Sequence, residues 1–157
     1  MKRFFMLMVA VAVISFPSAY AEDAKSANMQ ILLDKVKADK KLLIASNMDL
    51  TDKESKEFWP LYESYQKELE KLNHHLGQII NEYAAAYNKG SIPEDTAKRL
   101  INEALKTEGA EVKMRRGLAE KLIKALPAPK VARYLQMENK IRSAIKYDLA
   151  ANIPLAY

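Results

Sequence analysis

The strongest constraint in this chain is a long run of regularly spaced apolar residues. Phe58, Tyr62, Tyr65, Leu69, Leu72, Leu76, Ile79, Tyr83 and Ala86 follow one another at alternating spacings of four and three. An α-helix gathers such positions on one side, whereas a strand would scatter them over both faces. The run spans four heptads, so it forms an a/d seam that requires a long partner helix beside it. Its start is marked as well. Thr51 can cap the helix while Glu54, three residues on, reaches back to the Thr51 amide. Asn88-Lys89-Gly90 supplies a glycine stop after Tyr87. Pro60 falls inside the helix and is expected to bend its first turns.

Three further helices are predicted. The first covers about Ser26 to Ser46, with Met29, Leu32, Leu33, Val36 and Leu43 inward, and breaks at Asn47-Met48-Asp49-Leu50. The third runs from Pro93 to about Ala125, with Ile101, Leu105, Val112, Ala119, Leu122 and Leu126 in the same rhythm. Glu108 and Arg115 fall on that seam and are expected at its edge. Gly109 and Gly117 also lie in this helix, each costing about 1 kcal/mol relative to alanine; the alternative is that they open a concave face. Leu126-Pro127-Ala128-Pro129 makes a rigid corner, and a fourth helix runs from Lys130 to about Ala150. Val131, Tyr134, Leu135, Ile141, Ile145 and Leu149 should point inward from it. Ile153, Leu155 and Tyr157 form an apolar tail that either docks on the bundle or supports a dimer. Strand alternation and Asn-Gly or Asp-Gly hairpin signals are missing. The fold expected is all-α: four helices with a long central α-hairpin, elongated or curved, burying its remaining apolar face through dimerisation.

The N-terminus has a secretory layout. Lys2 and Arg3 precede an apolar stretch from Phe4 to Phe16, and Ala19-Tyr20-Ala21 places small residues where signal peptidase cleaves. Cleavage is expected after Ala21, leaving residues 22–157 as a single helical domain that is not inserted in a membrane. The formal charge of +5 then falls to +3, since Lys2 and Arg3 leave with the signal. The remaining charge is uneven: residues 22–97 carry 10 basic and 14 acidic side chains, residues 98–146 carry 13 and 5. An exported protein rarely meets nucleic acid, so either the basic helices pack beside the acidic ones or they present a basic surface to acidic partners or anionic lipid headgroups. The absence of cysteine removes disulfides and thiol chemistry.

Motifs for catalysis are not found: there is no Gly-x-Ser-x-Gly elbow and no glycine-rich phosphate loop. No catalytic residue, metal ligand or cofactor is therefore assigned. His74 and His75 are adjacent, so they point about 100° apart on a helix and do not chelate one ion together. Glu70, His74 and Gln78 share a face, but His74 lies opposite the seam, where a solvated histidine is expected. The candidate binding residues are mixed basic and apolar ones. Trp59 sits one step off the seam beside Pro60; Lys113, Met114, Arg115 and Arg116 cluster on the third helix; Arg133 and Tyr134 adjoin on the fourth. Such residues suit an adaptable protein-binding face, in which cations steer acidic clients and Met or aromatic groups make contact.

Leu50-Thr51-Asp52-Lys53-Glu54, opening the long helix, resembles the LTxxQ motif of the Spy/CpxP group of periplasmic proteins. Leu126-Pro127-Ala128-Pro129-Lys130 resembles that group's second copy. Glu54 and Lys130 stand where the family has Gln, and Pro127 where it has Thr. The resemblance implies a curved, dimeric helical cradle in the periplasm that acts as an ATP-independent chaperone in the stress response, or binds the periplasmic domain of a sensor kinase. The alternative reading is a structural or regulatory module with one dedicated periplasmic partner.

Overall fold

A computed structural model of the chain describes residue 35 and residues 37–156. The expected signal segment, its cleavage site and the inward positions Met29, Leu32, Leu33 and Val36 lie outside the described residues. The chain divides into two units, residues 1–42 and residues 43–157. In the first, residues 37–42 are helical. The helix they belong to, α1, ends at residue 48. The second unit holds the rest of the architecture: α2 (Asp52–Tyr87), α3 (Glu94–Ala125) and α4 (Ala128–Asn152). Among the described residues there is no strand, and no helix is long and apolar enough to cross a membrane. The all-α fold with four helices is as the sequence predicts.

The connection from α1 to α2 is set by two residues. Asp49 takes a left-handed backbone (φ 47°), which ends α1 two residues later than its sequence pattern implies. Thr51 then caps α2 through the full reciprocal box: the Glu54 amide donates to Thr51 Oγ1 at 3.3 Å, and the Thr51 amide donates to Glu54 Oε2 at 2.8 Å. A cap of this kind contributes about 1 kcal/mol. The 36-residue α2 passes through Pro60 without ending and spans about 54 Å at 1.5 Å per residue. Gly90, at φ 92°, closes the turn into α3, a conformation that strains any residue with a β-carbon.

The α2 seam is buried as its spacing requires. Phe58, Tyr62, Tyr65, Leu69 and Ile79 are buried, and Leu72, Leu76, Tyr83 and Ala86 are half-buried. With Ile44 and Met48 of α1, Leu118 and Leu122 of α3, Leu126, and Val131 and Tyr134 of α4, the first four form one core. On α1 the inward pair is Ile44 and Met48, not Leu43, which is 49% exposed.

The third helix follows its apolar rhythm toward its C-terminal end, where Leu122 and Leu126 are buried and Ala119 half-buried, but its earlier turns face another side inward. Ile101, Leu105 and Val112 are 59%, 62% and 51% exposed, while Leu100, Thr107, Glu111, Leu118 and Leu122 are buried. Both faces of α3 carry apolar residues with polar interruptions, so counting apolar positions does not separate them. What decides is the partner: α4 supplies Arg142 to Glu111, which makes the more polar face the buried one. The helix runs unbroken through Gly109 and Gly117.

Helix α4 buries Val131, Tyr134, Glu138 and Arg142. Leu135, Ile141 and Leu149 are half-buried, but Ile145, expected inward, is 48% exposed, since the inward stripe of α4 passes through Glu138 and Arg142 and leaves Ile145 at its edge. The tail meets α2 where Tyr83 Oη donates to the Pro154 carbonyl at 2.8 Å; Ile153 is half-buried and Leu155 exposed, and Tyr157 lies outside the described residues.

Candidate protein-binding face

The two motif-like segments meet. Lys130 Nζ donates to Glu54 Oε2 and to the Asp49 carbonyl, each at 2.6 Å. The hydrogen bond from Lys130, followed by that from the Thr51 amide, holds the Glu54 carboxyl below its ordinary range. The two positions where this chain departs from glutamine thus carry opposite charges and pair with each other. Of the other motif residues, Leu126 is buried, Leu50 is half-buried against the core, and Thr51 and Pro127 are exposed. Glu54 and Lys130 thereby tie the start of α2 to the first turn of α4.

The candidate contact residues separate into two groups. Tyr134 is fully buried, its ring edge-on to Phe58 at 5.1 Å, so it offers no surface. Trp59 is half-buried, edge-on to Phe58 at 5.0 Å and to Tyr62 at 5.4 Å. Met114 is half-buried against the core. Tyr134 thus holds the inward place expected of it on α4 and not the contact role, while Trp59 and Met114 keep part of their surface. Lys113, Arg116 and Arg133 are exposed, and Arg115 is half-buried.

Beneath the basic residues lies a polar interior that the sequence did not reveal. Arg142 Nε and Nη2 donate to the two oxygens of Glu111 at 3.0 and 2.7 Å, and Nη1 donates to Asn73 Oδ1 at 2.9 Å. Their side chains are only 6% and 7% exposed. Lys146 adds an ion pair to Glu111 at 3.1 Å. Burial pushes the Glu111 carboxyl up, but Arg142 and Lys146 outweigh it, and the net displacement is downward. Glu and Lys one turn apart along single helices have a local explanation, which is why a pair 31 residues apart escaped notice. The available signal was Arg142 itself, which falls on the inward stripe of α4.

Three tyrosines crowd this interior. Burial, with Glu138 next, pushes the Tyr62 hydroxyl up to about 12, and burial pushes Tyr65 and Tyr134 further up. All three stay neutral. The Tyr65 hydroxyl is buried without a hydrogen-bond partner, whereas Gln66 lies within reach of the Tyr134 hydroxyl. A buried hydroxyl without a partner is destabilising, so Tyr65→Phe is expected to raise stability by about 1 kcal/mol. Urea unfolding would show this as a higher midpoint; a lower midpoint would mean that the hydroxyl is satisfied in solution.

The outer surface between α3 and α4 holds an open groove of about 520 Å³. Helix α3 lines it with Val112, Arg115, Arg116 and Ala119, and α4 with Leu135, Gln136 and Asn139. Arg115 Nη1 reaches Asn139 Oδ1 across it at 3.5 Å. Guanidinium groups beside aliphatic side chains form a site for an acidic and partly apolar segment, since arginine pairs with carboxylates in a fork and its stem covers apolar surface. Of the candidate contact residues, only Arg115 and Arg116 line this groove. Val112, Ala119 and Leu135 are the apolar side chains of its lining.

His74 is exposed, and His75 Nε2 lies 3.3 Å from Glu103 Oε2. Among the described residues no group of three or more His, Cys, Asp or Glu converges to hold a metal ion. Comparisons with protein-family models, curated proteins and solved structures returned no match.

Proposed function

We propose that this is a periplasmic, ATP-independent chaperone-like or envelope-stress adaptor protein that binds other proteins through the basic and apolar face formed by α3 and α4. The observation that carries the reading is the groove, which sets Arg115 and Arg116 beside Val112, Ala119 and Leu135. The excess of basic side chains over residues 98–146 adds a field that attracts acidic and partly unfolded clients. Export rests on the N-terminal sequence, and the class of activity rests on the resemblance of its motifs to the Spy/CpxP group.

The test is aggregation suppression without ATP. Full-length precursor would be expressed, the processed protein recovered from the periplasm, and its N-terminus sequenced. It would then be mixed with an equimolar denatured client while light scattering is followed at two salt concentrations. Suppression that weakens with salt supports the proposal. Reversal of two exposed cations outside the groove, Lys113→Glu with Arg133→Glu, is expected to slow capture several-fold at low salt and little at high salt, because steering acts through the long-range field. Absence of suppression by folded protein would overturn the chaperone reading in favour of one dedicated partner, and equal capture by the reversed variant would remove electrostatic steering.

A further inference from the structure

Folding withdraws most of the acids of the basic half from its surface. Of the five acids within residues 98–146, Glu111 and Glu138 are buried and Glu103 is held by Lys106 and His75. That leaves Glu108 and Glu120 exposed, against Lys113, Arg116, Lys124, Arg133 and Lys140. Among these cations runs an apolar strip. Ile101, Leu105, Val112 and Ile123 of α3 fall within about 40° of one another at 100° per residue, and each is exposed by half or more. From first to last they extend about 33 Å along the helix. Val112 and Arg116 share the groove with Gln136 of α4, so α4 continues the same outer face. Lys140, Ser143 and Tyr147 follow Gln136 at four, seven and eleven residues, on one side of α4, and Tyr147 is exposed. The acids of α4 are Glu138, which is buried, and Asp148, which comes next to Tyr147 and points about 100° away from it.

We propose that the outer face of α3 and α4 docks on an anionic membrane surface, with Ile101, Leu105, Val112 and Ile123 seated among the headgroups and the flanking lysines and arginines held against lipid phosphates. No described helix is long and apolar enough to cross a membrane. A narrow apolar strip bordered by cations is instead the pattern of a helix that lies in the interface plane. Lysine and arginine stems run past the apolar side chains while their charges stay with water and phosphate. Tyr147 has the apolar ring and polar tip that settle at headgroup level. Two observations favour lipid over a protein partner. Three of the five exposed cations are lysines, which are depleted at protein interfaces and lack the fork with which arginine grips one carboxylate; a headgroup layer presents a diffuse field that point charges on flexible stems meet in any register. Ile101, Leu105 and Ile123 lie outside the groove, so they suit a flat partner rather than an inserted segment. The face overlaps the proposed client groove at Val112 and Arg116 and stands without that reading.

Sedimentation of the processed protein with unilamellar vesicles tests this. Vesicles of phosphatidylglycerol and phosphatidylcholine in equal parts should carry the protein down at low salt, and phosphatidylcholine alone should bind it roughly tenfold more weakly or less. Lys124→Glu/Lys140→Glu is expected to weaken binding to the anionic vesicles by about tenfold or more. Lys56→Glu/Lys67→Glu, a matched reversal at exposed positions of α2, should weaken it by no more than about twofold, because those charges stand beyond the screening length from the membrane. Leu105→Ser/Ile123→Ser should remove the part of the binding that survives high salt. A probe that leaves the face intact makes the test independent of those variants. The chain has no cysteine, so Asn102→Cys, exposed beside Ile101, takes a single environment-sensitive dye. Its emission should shift to the blue on anionic vesicles, and the same dye on Lys67→Cys should not shift. No sedimentation with anionic vesicles, equal binding to both lipid mixtures, equal weakening by the α2 reversal, or no shift at Asn102→Cys would each overturn the proposal. Release by free glycerol phosphate at the same headgroup concentration would overturn it in favour of a soluble phosphate ester. Capture of an acidic denatured client by protein that ignores vesicles would overturn it in favour of protein binding alone.

Discussion

Replacing Phe58 with alanine is expected to cost about 4 kcal/mol. Phe58 is fully buried and touches three other rings: Trp59 and Tyr134 edge-on at 5.0 and 5.1 Å, and Tyr62 stacked at 5.8 Å. Rings in these arrangements add to the burial of their own area. The cavity left by truncation would lie where α2 meets α4, in the core to which Ile44 and Met48 of α1 also belong, so no single neighbour can collapse to fill it. Urea titration followed by circular dichroism measures the loss. A change below about 1 kcal/mol would mean that the aromatic cluster is solvated and not the centre of the core. Trp59 gives a second readout, because its fluorescence should shift to the red as the ring beside it disappears.

The second large effect is expected at Arg142. Arg142→Met leaves Glu111 buried without its forked partner, and breaking a buried pair from one side costs about 3 kcal/mol. The double variant Glu111→Leu/Arg142→Met removes both charges and should recover most of that loss. The pH dependence gives the sign independently. In the native chain Glu111 is displaced downward, burial being outweighed by Arg142 and Lys146. Its contribution to stability is therefore present above the usual carboxylate range and lost as pH falls through the lowered folded value. In Arg142→Met burial acts against Lys146 alone, the displacement reverses, and acidification from neutral pH should narrow the gap to the native chain. Unfolding curves at several pH values check both. A single variant as stable as the double one would show that the forked pair contributes nothing that Lys146 and Asn73 cannot replace.

How much of this was legible in the sequence depended on whether a helix offered one apolar face or two. Helix α2 has one, so its seam, its Thr51–Glu54 cap and its glycine stop could all be read directly. Helix α3 has two, and the face that is buried contains Thr107 and Glu111. Local counting favours Ile101, Leu105 and Val112, and only the long-range partner Arg142 reverses the choice. The same error moved the candidate site. Arg115 stood out because it interrupted an apparent seam, and it interrupts an outward strip instead. Tyr134 has two readings in the sequence, inward on the stripe of α4 and in contact beside Arg133; adjacent helical residues point about 100° apart, so it is buried while Arg133 is exposed. Glu54 and Lys130 were each noted as departures from glutamine. Their pairing, across 76 residues, was invisible to any local pattern.

That pairing also bears on how the fold assembles. Hairpin contacts between α2 and α3, such as Arg99 with Glu82 across 17 residues and His75 with Glu103 across 28, close modest loops. Lys130 instead bridges 81 residues to Asp49 and 76 to Glu54. Closing a longer loop costs more chain entropy before any contact repays it, so the hairpin is expected to form first and the Lys130 tie last. A contact made after the transition state has little influence on how fast a chain folds and governs instead how slowly it comes apart. Lys130, in the first turn of α4 and reaching back to the start of α2, thus acts as a clasp on the finished structure, setting how long the native state lasts before it opens.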